Sequence, residues 1–143
     1  MNHFAHWLSL ALWLAGIGHF CILFASFQVP IRLGWKKDLV QLTPFNRKLM
    51  WVYAGTTLFT IIVFGILTLF LHHEFLAGDR AAAALATFIA IFWTVRIVVD
   101  FVYFKHSDWL TGIQFVVGHF LLTALFMALA TTYWAVLIWS FVK

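Results

Sequence analysis

The chain has 143 residues, of which 64% are hydrophobic and 20% aromatic, while 10% are charged; soluble domains run at about 45–50% apolar and about 25% charged. A water-soluble domain of this length lacks the polar side chains to cover so apolar an exterior, and disordered, collagen-like, disulfide-stapled and nucleic-acid-binding classes are excluded as well. The single cysteine, Cys21, leaves no internal disulfide, and the formal charge of +4 reads as membrane topology because it is concentrated in one set of connections.

The pattern predicts an all-α membrane protein of one domain, with transmembrane helices at about residues 4–29, 44–71, 81–104 and 110–141, each near the roughly 20 residues that a hydrocarbon core requires. The first span has no formal charge, and Pro30 is expected to stop it. In segment 30–43, Ile31, Trp35, Leu39 and Leu42 recur at helical spacing, with Arg32, Lys36 and Lys37 on other faces. This predicts a short amphipathic helix in the cytoplasmic headgroup region, the alternative being an irregular basic loop. Thr43 and Pro44 have the character of an N-cap and a first helical residue, so the second helix starts ahead of its apolar part. Gly78 and Asp79 mark the next turn; Ser107, Asp108 and Gly112 mark the one after. Connections this short favour an up-down-up-down antiparallel four-helix bundle.

Arg32, Lys36, Lys37, Arg47, Lys48 and Lys105 lie on one side of such a bundle, against Arg80 and Lys143 on the other. The positive-inside rule then puts both termini on the outer, periplasmic side, with a bacterial inner membrane as the expected location. Trp35, Trp51, Tyr53, Tyr103 and Trp109 form the expected inner aromatic belt, and Trp7, Tyr133, Trp134 and Trp139 the outer one. The N-terminal stretch has neither the basic region nor the small-residue cleavage site of a secretory signal, so the first helix is expected to be retained.

Depth, at about 1.5 Å per helical residue, singles out a group of polar side chains. His19 is nine residues before Gln28, His119 nine after Leu110, Arg96 eight before Phe104 and Asp100 four before it. All four fall in the inner half of the bilayer, and Tyr53 and Thr57 of the second helix approach the same level. Arg96, Asp100 and Tyr103 share one helix face by their i, i+4, i+7 spacing. An ionisable group at the bilayer centre costs at least about 2.5–3.5 kcal/mol, so these groups should face inward.

Several readings of this layer stay open. It serves as a register-setting network, with an Arg96–Asp100 ion pair and histidines bonded to hydroxyls. Alternatively it holds haem b between His19 and His119, with Arg96 toward the propionates and Gly16, Gly18 and Gly118 admitting the macrocycle; electron transfer, with quinone as a partner, would be its role. A third reading makes His19, His119 and Asp100 a two-histidine, one-carboxylate site for iron or zinc, although Arg96 disfavours a cation and suits an anionic or quinone-like ligand better. The last is an accessory subunit without chemistry of its own, embedded in the lipid bilayer beside other membrane subunits or further copies of itself. His3, His6, His72, His73 and Glu74 are expected at the outer surface, His106 in a solvated turn, and Cys21 packed against a neighbour. The chain has no Cys-x-x-Cys-His, no Gly-rich phosphate loop and no paired-cysteine zinc pattern.

Overall fold

The computed structural model describes residues 2–104 and 111–143. The described residues are helical apart from short connections: α1 (Asn2–Arg32), α2 (Trp35–Asp38), a 3-10 turn at Leu39–Gln41, α3 (Pro44–Phe70), α4 (His72–Ala77), α5 (Arg80–Val102) and α6 (Ile113–Val142). The long helices α1, α3, α5 and α6 are apolar enough and long enough to cross a membrane. The expected turn at 105–109, with Lys105, His106 and Trp109, and the expected helix start at 110 lie outside the described residues.

Pro30 does not stop the first helix. It sits inside α1, which continues to Arg32, because proline this close to a C-terminus forfeits its own amide bond while Leu33 N–H still donates to Val29 O (2.9 Å). The stop is Gly34, whose φ of 67° lies in the left-handed region that glycine adopts without steric cost. The next connection is held by an arginine. Arg47 Nε donates to Leu39 O (3.0 Å), and its terminal nitrogen donates to Val40 O (3.0 Å) and Leu42 O (3.3 Å). Leu39 O also accepts from Leu42 N–H (3.2 Å), and the arginine adds bonds to the Val40 and Leu42 carbonyls of the turn. Helix α3 then opens on Pro44, with Thr43 Oγ1 accepting from Asn46 N–H (3.4 Å).

The far end of α3 holds an element absent from the sequence reading. After Leu71 the chain makes the six-residue α4, ending at Gly78 with φ 73°, and Asp79 Oδ1 then caps α5 by accepting from Ala81 N–H (2.9 Å) and Ala82 N–H (3.2 Å). Helix α4 touches all four long helices and buries Phe75 and His72. Trp139 Nε1 (3.0 Å) and Lys143 Nζ (3.2 Å) both donate to its Leu76 carbonyl.

Among the long helices the most extensive packing is α5 on α6 and α1 on α3, followed by α1 on α6. Helix α1 provides the central stripe of Leu8, Leu12, Ala15, His19 and Ile22, spaced as one helix face. Lipid tails are as apolar as leucine, so in a bilayer association rests on close packing and interhelical hydrogen bonds. Gly65 shows the first: a Cβ there would lie 3.1 Å from His19 Cβ and from the Phe20 ring, so glycine lets α3 approach α1. Tyr133 shows the second, its hydroxyl bonded to Thr68 Oγ1, which itself donates to Phe64 O (2.6 Å). Tyr133 is fully buried, not part of an outer belt, because it extends the inward stripe Thr123, Phe126, Ala130 of α6.

The core is lopsided. Every buried residue of α3 lies between Ile61 and Thr68, and α1 buries nothing beyond Ile22. The half of the bundle near α4 is tightly filled, and the other half opens into a cavity.

Candidate functional site

A cavity of about 900 Å³ lies between α1, α5 and α6 in the half away from α4. Helix α1 contributes Cys21, Ala25, Gln28 and Arg32; α5 contributes Arg96 and Asp100; α6 contributes Gln114, Gly118, His119, Leu122 and Leu125. The size is that of a small-molecule site, with a mainly apolar wall and a few polar groups converging on it.

Asp100 anchors the polar part. It is buried, and its Oδ2 accepts from Thr123 Oγ1 (2.8 Å) and lies 3.3 Å from His119 Nε2. His119 and Thr123 are one turn apart on α6, so consecutive turns of that helix present two donors to one carboxylate oxygen. This meets the requirement that a buried charge be paired and hydrogen-bonded. Arg96, one turn before Asp100, does not close an ion pair with it. The Arg96 guanidinium stands 5.6 Å from the centre of the Phe126 ring, and it makes no hydrogen bond or ion pair among the described residues. It lines the cavity all the same.

His19 stands elsewhere. It is fully buried, and both ring nitrogens are engaged. Nδ1 donates to Ala15 O (2.7 Å), since a carbonyl can only accept, and Nε2 accepts from Trp93 Nε1–H (3.1 Å). The two bonds define a neutral Nδ1–H imidazole. Phe64, Trp93 and Tyr133 surround it with ring centres at 6.0, 5.5 and 5.9 Å. This environment does not fit an axial haem ligand: Nε2 is taken, and Leu69 covers Gly16 while Leu125 covers Gly18, where the macrocycle was expected to approach. The structure therefore brings Arg96, Asp100 and His119 together and leaves His19 in the core. Among the described residues no group of three or more His, Cys, Asp and Glu side chains is arranged to hold a metal ion.

Tyr53 and Thr57 do not join the cavity lining. Tyr53 is exposed, and Thr57 Oγ1 donates to the Tyr53 carbonyl of its own helix (3.0 Å), because this half of α3 stands away from the core. Cys21, expected to pack, is exposed and lines the cavity; its position roughly 200° around α1 from His19 sends it out of the core as His19 points in.

Three further polar residues take part in the packing. His72, expected at the surface, is buried with Nε2 3.1 Å from Ser9 Oγ and 3.2 Å from Ser9 O, because α4 folds back over α1. Trp93 and Thr123 carry a readable signal: Trp93 precedes Arg96 and Asp100 on one stripe, and Thr123 follows His119 by one turn.

The chain matches no protein-family model, no curated protein and no solved structure.

Proposed function

We propose that the protein is an integral membrane binding subunit whose cavity between α1, α5 and α6 holds a small amphipathic molecule with an anionic or quinone-type head. The observation that carries this reading is the Arg96 guanidinium, which lines the cavity beside the Asp100–His119–Thr123 network with an aromatic ring as its only described partner. Arg96 is exposed and also borders a shallow groove of α5 at Phe92 and Val99, and an ionisable side chain within a membrane span is a functional-site hypothesis by default.

In this reading the four long helices cross the bilayer up-down-up-down. The contacts of Thr94 with Trp134 and Asp100 with Thr123 support an antiparallel α5–α6 pair, because one number falls as the other rises. Segment 30–43 lies at the cytoplasmic interface, supported by its basic residues and by the Trp35–Trp51 ring contact at 5.7 Å. Both termini are then periplasmic, and the cavity opens in the cytoplasmic half.

The test is purification in mild detergent, organic extraction and mass spectrometry of what accompanies the protein, alongside an absorption spectrum. An amphiphile present with wild-type protein and lost from Arg96→Gln supports the site. The same extract from both proteins overturns it, and a Soret band that disappears in His119→Ala would point to haem b instead.

A second reading, an accessory subunit or homo-oligomer, is favoured by one observation: the Pro44–Thr60 half of α3 buries no side chain. A partner helix seated there would complete the bundle at that end.

A further inference from the structure

The partners of the charged side chains at the cavity narrow the ligand class, on the premise that the cavity is the binding site. Among its described lining residues, Arg32 and Arg96 carry fixed positive charge and Asp100 is the carboxylate. Asp100 is already committed to α6 through Thr123 and His119. Arg32 spends its Nε on Gln28 Oε1 (3.0 Å), whereas Arg96 is left facing the Phe126 ring. We infer that the cavity takes an acyl lipid with an oxyanion head, a carboxylate or a phosphate, bound by the Arg96 guanidinium while its chain runs along Ala25, Leu122 and Leu125.

A guanidinium presents donors in a planar fork that matches two oxygens of one oxyanion. A neutral quinone carbonyl accepts hydrogen bonds but brings no counter-charge to the guanidinium, whereas an oxyanion supplies both acceptors and charge. An oxyanion at Arg96 leaves the Asp100 network intact. The apolar part of the wall has no group that rejects a hydrocarbon chain.

Gly118 supplies the control. It lines the cavity, and a Cβ built on it meets nothing within 4 Å, so Gly118→Trp starts from open space and puts a bulky ring at the cavity wall. Native mass spectrometry of the full chain in detergent is used to titrate oleate, oleyl alcohol, phosphatidylglycerol and decylubiquinone into wild-type, Arg96→Gln and Gly118→Trp proteins. Helix content and the melting temperature establish that each variant folds. The expected result is oleate or phosphatidylglycerol binding at least tenfold tighter than oleyl alcohol, that preference lost in Arg96→Gln, and all binding lost in Gly118→Trp. The tighter of the two anions identifies carboxylate or phosphate as the head. If oleyl alcohol or decylubiquinone binds as tightly as the anions, or Arg96→Gln keeps the preference, while Gly118→Trp still blocks, the oxyanion assignment fails and the cavity stands. Binding unchanged in Gly118→Trp, or none of the probes bound by wild-type protein, overturns the cavity itself.

Discussion

The indole N–H of Trp93 ends on Nε2 of His19 at 3.1 Å, joining α5 to α1 through the middle of the bundle. Its loss leaves an imidazole nitrogen buried without a donor. Trp93→Phe is therefore expected to lower stability by about 1–3 kcal/mol, the cost of an unsatisfied buried polar atom. Thermal unfolding in detergent measures it, and a melting temperature equal to wild type would refute the role. His19→Ala should be worse, at about 3–5 kcal/mol, since a ring enclosed by three aromatics leaves a void.

Thr123 ties α6 to α5 through Asp100. Thr123→Val keeps the shape and removes the donor, with an expected loss of about 0.5–1.7 kcal/mol, the range of interhelical hydrogen bonds measured in a membrane protein. Asp100→Asn retains an acceptor oxygen for the same hydroxyl, so it should cost less than Asp100→Ala, which removes the acceptor of Thr123. Steric-trap or denaturant unfolding ranks the three, and an alanine variant as stable as the asparagine one would be the contrary result.

Gly65 sets the distance between α1 and α3. Gly65→Ala puts a methyl group 3.1 Å from His19 Cβ, and overpacking of this kind costs about 1–3 kcal/mol. Gly55 on the same helix has nothing within 4 Å of a built Cβ, and Gly55→Ala should be neutral or slightly stabilising because alanine is the better helix former. Paired melting curves separate the two sites.

The adjacent histidines His72 and His73 offer a sharper contrast. His72 is buried against Ser9, Trp13 and α1, while His73 is exposed. His72→Ala is expected to destabilise by about 1–3 kcal/mol, and His73→Ala to stay within about 0.5 kcal/mol of wild type. Equal effects would contradict the placement of α4.

The all-helical class and the four long apolar helices were legible because length and composition alone decide them. Arg96, Asp100 and His119 could be brought to one cavity from spacing and depth, two quantities that helical geometry makes nearly independent of side-chain detail. The inward facing of His19 was legible from the cost of an imidazole among lipid tails. A helix apolar all round has no sidedness in its pattern, so nothing told that His19 would lie in the core and Cys21 on the cavity. His72 was misplaced for another reason: after Leu71 the chain starts a new helix, and a six-residue element has too short a period to announce its buried side. Pro30 misled because proline removes only its own amide donor, and the helical pattern resumes beyond it with Leu33 N–H on Val29 O.

Helix α1 precedes in the chain every element that later covers its Leu8–Ile22 stripe. During synthesis His19 is made before Phe64 and Gly65, and well before Trp93 supplies its donor. The nascent chain thus passes through a stage in which a polar ring has only the Ala15 carbonyl for company. Anything that shelters an early segment until its successors emerge would shorten that exposure.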